Sequence, residues 1–225
     1  MDSQPKRPFT ISVEGNIGCG KTYFLSKFST QIDGIEIYKE PVQEWTNVGS
    51  FNLLQMMYNS PTRCSFLFQM YALLTVIKQY HSPSIRKVQI IERFLGRYCF
   101  VENLYETGKI SNAEYTVIRE WFNYLARPYT KFDLSIDLVV YLRCPPEIAY
   151  ERILKRKRRE ESNIPFEYIC QIHDLHEAWL IKKTKFQTPS AIIIIDVSES
   201  IQNLESVFED KKKIILDIAR SANKM

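Results

Sequence analysis

Gly15-Asn16-Ile17-Gly18-Cys19-Gly20-Lys21-Thr22 fits the pattern GxxxxGK[ST], and its setting decides the fold class. The apolar run at residues 9–13 precedes it and reads as a strand, and a helix-forming stretch follows. Glycines let backbone amides come close to phosphate oxygens. Lys21 then reaches the β- and γ-phosphates of a nucleoside triphosphate, the Thr22 hydroxyl is placed to ligate Mg²⁺, and the start of the helix adds a favourable partial charge. Residues 15–22 are therefore read as a phosphate-binding loop for a nucleoside triphosphate. The loop alone leaves GTPases, motor ATPases and small-molecule kinases open.

Working outward, short apolar runs alternate with longer amphipathic stretches. Strands are expected at 9–13, 35–38, 88–91, 138–142 and 191–195, the last two reading as strands buried on both faces. Helices are expected at 21–32, 51–59, 62–81, 94–107, 111–129, 146–158, 165–182 and 203–221. Ser111 followed by Glu114 has capping-box spacing, and Pro145-Pro146 and Pro165 suit first-turn positions. The alternation argues an α/β fold, a five-stranded parallel sheet with helices on both faces. No repeat or Gly/Ser linker divides the chain, so residues 1–225 read as a single domain.

The 225 residues carry a net charge of +4, too little by itself to argue for nucleic acid. Five cysteines are scattered without CxxC spacing, which fits free thiols in a reducing compartment and neither a disulfide scaffold nor a zinc site. No apolar run approaches the ~20 residues of a membrane span. A cytoplasmic location, no membrane and no nucleic-acid partner are the expectations.

Two further motifs point to the acceptor. Glu40-Pro41-Val42 follows the second strand, on the side of the sheet where ligands of open α/β folds sit. A carboxylate there can take a proton from an attacking hydroxyl. Glu92-Arg93 ends the third strand. Glu92 can hold Mg²⁺ directly or through water, and Arg93 can bridge the acceptor oxygen and the transferring phosphoryl group.

EGNIGCGKT, EPVQEW, NLLQMMY, FLFQMYALLT, ER before RYCFVEN, YLRCPPEIAYERI, the basic stretch with REES, and LHEAWL occur in that order. Together they resemble the deoxynucleoside kinase family, in the branch of thymidine kinase 2-like and insect multisubstrate enzymes, over roughly residues 9–182. The resemblance implies ATP- and Mg²⁺-dependent phosphorylation of the 5′-hydroxyl of deoxyribonucleosides in nucleotide salvage. It makes Glu40 the base, Arg93 its partner on the same oxygen, and Glu92 with Thr22 the metal ligands. Gln69 would read the pyrimidine edge, Trp45, Phe68 and Phe100 would enclose the base, and Tyr58 and Glu161 would hold the 3′-hydroxyl.

Arg152, Lys155, Arg156, Lys157, Arg158 and Arg159 form a basic run. Read alone, it is a nucleic-acid patch or a solvated helix face. In the family this place is a lid, here at about 152–163, whose Arg152, Arg156 and Arg158 would neutralise the transferring phosphoryl group. Ala72, Val76 and Gly96 would leave space beside the pyrimidine, favouring thymidine and deoxycytidine. The resemblance also implies a homodimer through the helices at 62–81 and 111–129. One departure stands out: Phe94-Leu95-Gly96 alone separate Arg93 from Arg97, about two residues fewer than the family pattern, with Phe94 in place of a serine. Thymidylate kinase is the same-class alternative, since Glu92-Arg93-Phe94 also fits its acid-Arg-aromatic motif. A non-catalytic P-loop interaction module is the other.

Overall fold

The computed structural model describes residues 7–29, 34–80, 87–125, 135–187 and 191–222. Its centre is β1 (Phe9–Glu14), which pairs in parallel with β3 (Val88–Glu92) on one side and β4 (Leu138–Arg143) on the other. β2 (Glu36–Tyr38) extends the sheet beyond β3, and β5 (Ile192–Asp196) beyond β4, giving the order β2-β3-β1-β4-β5. All five strands fall on the expected runs, and the sheet is parallel throughout.

Side chains alternate across this sheet, so neighbours on one strand enter different cores. Ile90 packs with Phe24, Ile153 and Phe208, whereas Ile91 packs with Leu73, Val101 and Phe122. The first group brings in α1 (Lys21–Leu25), α7 (Pro146–Arg156) and α9 (Ile201–Ala222). The second brings in α4 (Pro61–Tyr80), α5 (Arg97–Glu106) and α6 (Asn112–Leu125). Helices thus cover both faces, as expected.

Several boundaries differ from the expected ones. α1 stops at Leu25, where the N–H groups of Lys27 and Phe28 turn to carbonyls three residues back. A short helix, α2 (Val42–Thr46), was not expected; it starts when the Pro41 carbonyl accepts the Glu44 and Trp45 amides. α3 (Leu53–Asn59) begins later than residue 51 because Asn52 caps it, its side chain accepting from the Gln55 amide at 2.9 Å. Ser111 and Glu114 do form the reciprocal capping box ahead of α6. The expected helical residues 30–32, 81 and 126–129 lie outside the described residues.

α8 (Phe166–His176) continues into a π-helical turn, Glu177–Ile181, instead of running on as one α-helix. The expectation of burial on both faces holds for β4 and fails for β5. Ile194 is 47% exposed, because β5 is an edge strand and the helical layer on that face covers Ile192 but not Ile194.

Candidate active site

The carboxyl ends of β1, β2 and β3 converge on one cleft of about 1040 Å³. In an open parallel sheet this is where ligands sit. The phosphate loop leaves β1 at Glu14 and closes into α1. A Cβ on Gly18 would stand 2.3 Å from the Ala149 carbonyl oxygen, at φ +78, so α7 presses on the loop and admits only glycine there. Gly20 lies at the mouth of the loop, whereas Gly15 packs beneath it against the Leu142 carbonyl.

The side chains of Asn16 and Cys19 turn away from the cleft. The Asn16 amide donates to Ile169 O on α8 at 2.8 Å and its oxygen accepts the Ile17 amide. Cys19 is buried, and Ile17 packs into the core with it. For Asn16 and Cys19 only the backbone is left for a ligand. The Lys21 ammonium donates to Gly15 O at 3.1 Å and Asn16 O at 2.8 Å. Burial, then the charge of Arg93, lowers its pKa, against the pull of Glu40 and Glu92.

The two expected metal ligands meet. Thr22 Oγ1 donates to Glu92 Oε1 at 2.7 Å, and Glu92 Oε2 accepts the Glu40 amide at 3.3 Å. One hydroxyl and one carboxylate beside a phosphate loop are the hard oxygens Mg²⁺ prefers, with the remaining positions left to phosphate and water. The donor set fits that ion.

Glu40 and Arg93 also meet. Arg93 Nη1 lies 3.2 Å from both Glu40 oxygens, and Nη2 donates to Gly15 O at 3.2 Å. The guanidinium sits 4.6 Å from the centre of the Phe100 ring. Burial opposes the Glu40 charge, but Arg93, Arg97, Lys21 and Arg158 outweigh it and hold its pKa below the usual carboxylate range.

The short segment after Arg93 is a tight turn with a definite anchor. Arg93 itself adopts φ +50, a left-handed conformation costing about 1–3 kcal/mol. Its amide still extends the ladder to Val13 O at 3.0 Å. Glu14, fully buried, then accepts the amides of Leu95 and Gly96, each at 2.9 Å, and the Ser12 hydroxyl. Burial raises the Glu14 pKa, and those hydrogen bonds and Arg93 pull against it. Glu14 was not singled out in the sequence; a carboxylate between a strand and a glycine loop gives no periodic signal.

That turn also corrects the base-pocket reading. Gly96 faces Glu14 and does not line the cleft, nor do Ala72 and Val76. Ala72 packs behind the wall against Trp45 and Phe68, and Val76 belongs to the core beyond β3. The wall itself carries Trp45, Phe68, Gln69, Phe100, Tyr58 and Glu161. Leu54, Met57 and Arg97 line it too and were not expected. Trp45 is fixed by a 2.9 Å bond from its indole N–H to Thr75 and by an edge contact with Phe68.

The basic run lies along the same cleft. α7 ends at Lys157 in a left-handed conformation, and a 3-10 turn, Arg159–Glu161, follows. Arg156 and Arg158 both pair with the buried Glu161 carboxylate. Arg152 lines the cleft, but its Nη2 donates to the carbonyls of Val197 and Glu199 at 2.8 and 2.7 Å.

A phosphate loop, a carboxylate–arginine pair and an aromatic wall that carries Gln69 suit a phosphotransferase. Residues 11–220 match the family model described as deoxynucleoside kinase. The chain belongs to the deoxynucleoside kinase family. This kinase is 39% identical to the mitochondrial thymidine kinase 2 of Homo sapiens over 217 residues, which cover 96% of the kinase and 80% of the relative. It is 33% identical to deoxycytidine kinase 2 of Gallus gallus over 227 residues, 88% of the kinase and 85% of that protein. With the mitochondrial deoxyguanosine kinase of Xenopus laevis it shares 32% identity over 220 residues, 86% and 83% of the two chains. The thymidylate kinase and non-catalytic alternatives are not favoured, since the matching family and these relatives are nucleoside kinases. No helix among the described residues of the kinase is long and apolar enough to cross a membrane.

Proposed function

We propose that this kinase transfers the γ-phosphoryl group of ATP to the 5′-hydroxyl of deoxyribonucleosides, preferring thymidine and deoxycytidine, in nucleotide salvage. The Glu40–Arg93 pair beside the phosphate loop carries the reading. Glu40, kept ionised by its cationic neighbours, accepts the hydroxyl proton as the oxygen attacks the γ-phosphorus. The bond from that phosphorus to the bridging oxygen breaks, and ADP leaves. Arg93 spans the carboxylate and the loop carbonyl of Gly15, so it orients both reactants. Lys21, the loop amides and the lid arginines Arg156 and Arg158 balance the spread negative charge of the transfer.

Thr22 and Glu92 would hold Mg²⁺, which would supply positive charge against the negative charge of the donor phosphates. Gln69, half of whose amide donates and half accepts, reads the base edge within the apolar wall. Tyr58 and Glu161 take the 3′-hydroxyl. Arg152 lines the cleft while bound to the carbonyls before α9, and serves the donor nucleotide from there. The pyrimidine preference is supported by Gln69 and by the higher identity to proteins named thymidine kinase 2 than to those named deoxycytidine or deoxyguanosine kinase. An apolar wall separates close analogues by only ~1–3 kcal/mol, so pyrimidine tolerance is broad.

Residues 1–225 act in this reading as a single P-loop domain with its lid at 152–163, and two copies pair through α4 and α6. Leu67 and Leu74 on α4, and Val117, Trp121 and Tyr124 on α6, are exposed apolar residues at helical spacing. Five free cysteines support a reducing compartment and a cytoplasmic location, for which cell fractionation is the check, since two of the relatives are named mitochondrial.

The test is ADP production from ATP against the four natural deoxyribonucleosides, with Glu40→Gln in parallel. Thymidine and deoxycytidine are expected to be phosphorylated and the variant to lose most turnover. Turnover in Glu40→Gln equal to wild type removes Glu40 from the mechanism, and a strong purine preference removes the pyrimidine reading.

A further inference from the structure

We propose that Glu14 is a positioning residue for phosphoryl transfer: its carboxylate ties the turn that aims Arg93 to the strand end from which the phosphate loop starts. The inference rests on the reading of Glu40 and Arg93 as the pair that meets the 5′-hydroxyl.

Glu14 ends β1, is fully buried, and does not line the cleft. Its Oε1 accepts the Leu95 amide at 2.9 Å and the Ser12 hydroxyl at 2.5 Å, and its Oε2 accepts the Gly96 amide at 2.9 Å. Ser12 Oγ in turn accepts the Phe94 amide at 3.3 Å. All three residues between Arg93 and Arg97 therefore give their N–H groups to side chains of β1. Successive amides that point the same way make a concavity suited to an anion. They lead into α5, which carries no side-chain cap of its own, so a negative charge is favoured there twice over.

What this turn holds in place is Arg93. Its φ of +50 is a left-handed conformation, which persists only where the surroundings over-determine it. Its own amide is fixed on Val13 O, and the next three amides are fixed on Ser12 and Glu14. The stem of the side chain lies over the same turn, since a Cβ at Gly96 would stand 3.4 Å from Arg93 Cγ. From there the guanidinium reaches both Glu40 oxygens and Gly15 O, each at 3.2 Å.

Gly15 follows Glu14 directly, and its carbonyl also takes the Lys21 ammonium. Glu14 thus has its backbone on the donor side of the site and its carboxylate on the acceptor side. Phosphoryl transfer needs the attacking oxygen and the phosphorus held about 3–3.5 Å apart and aligned. One residue that joins the loop to the Arg93 turn fixes that relation. Glu14 takes part in no bond that forms or breaks.

The experiment measures kcat and KM for ATP and for thymidine in wild type, Glu14→Gln, Ser12→Ala and Arg93→Ala, and in the first two substitutions combined with Arg93→Ala. Rates are read with enzyme in excess over labelled ATP, so that slow transfer is still counted, and thermal unfolding checks that each variant is folded. Glu14→Gln keeps the volume but turns an NH₂ group toward one of the two amides. Its kcat is expected to fall by about 10- to 100-fold, with KM for ATP unchanged. In the Arg93→Ala background the same change costs nothing further, because the residue it acts through is gone. Ser12→Ala must show the same pattern at smaller size, and it carries the test if Glu14→Gln does not fold. An equal fold-loss in both backgrounds overturns the proposal and makes Glu14 a support of the fold alone. A raised KM for ATP with kcat unchanged overturns it as well and assigns Glu14 to the phosphate loop. Full turnover in Arg93→Ala sinks the reading of the Glu40–Arg93 pair; slow Arg93→Ala with wild-type kcat in folded Glu14→Gln sinks only the role of Glu14.

Discussion

The Glu14 carboxylate accepts the Gly96 amide at 2.9 Å through the oxygen that stands 2.3 Å from where a Gly96 side chain would begin. One interaction therefore both closes the turn after β3 and crowds any larger residue at position 96. Gly96→Ala is expected to push Glu14 off its amides or displace the start of α5. An overpacked core site of this kind loses about 1–3 kcal/mol. Thermal or denaturant unfolding reads that loss, and kcat/KM should fall with it because Arg93 and Arg97 flank the turn. An unfolding midpoint equal to wild type would show that the turn has slack.

Gln69 is buried and lines the cleft together with Phe68 and Phe100. Gln69→Leu keeps the volume and removes donor and acceptor together. Two hydrogen bonds at ~0.5–1.5 kcal/mol each correspond to a loss of roughly 5- to 160-fold in kcat/KM for thymidine. Steady-state kinetics should show the loss for the nucleoside with KM for ATP unaltered. A matching rise in KM for ATP would mean the change had spread beyond the base.

His176 gives the stability of the fold a dependence on pH. It is fully buried, its Nδ1 shares a 2.7 Å bond with the Ile172 carbonyl, and it stacks on Tyr141. Burial lowers its pKa from 6.5 to about 3, so the folded chain holds it neutral. The unfolded state takes up a proton below its ordinary pKa and the folded state does not. The stability this linkage supports is complete above about pH 6.5 and drains away as pH falls toward 3. Denaturant titrations of wild type and His176→Phe across that window should show a shallower pH dependence in the variant. Parallel curves would exclude His176 as the linked group.

Trp121 and Tyr124 project together from α6, their ring centres 6.4 Å apart, both more than two-fifths exposed. If two copies pair through α4 and α6, Trp121→Glu places a charge in an apolar contact. Analytical ultracentrifugation is expected to show a dimer for wild type and a shift to monomer for the variant, at concentrations near the dissociation constant. A wild-type monomer across the accessible range would remove the homodimer from the proposal.

Much of the fold was legible because it depends on neighbours in the chain. The strand runs, the capping box at Ser111 and Glu114, and the loop at residues 15–22 are set by short-range geometry, and each lies where the sequence put it. Glu40 and Glu92-Arg93 were legible as a site because all three follow strand ends, and strand ends of a parallel sheet share one side. The exposure of Ile194 was not legible: an apolar run looks the same at the edge of a sheet as at its centre.

Only the tertiary structure decided which side chains meet across the cleft. Asn16 turns to α8, Gly96 to Glu14, Arg156 and Arg158 to Glu161, and Arg97 to Glu40. The sequence determines that these groups exist near strand ends and helix starts, through periodicities of a few residues. Where each one points depends on the helix register set by a turn, and a helix rotates by ~100° for each residue. A change of two residues after Arg93 is small along the chain and large in direction, and that is why only the packed chain shows Arg97 beside Glu40.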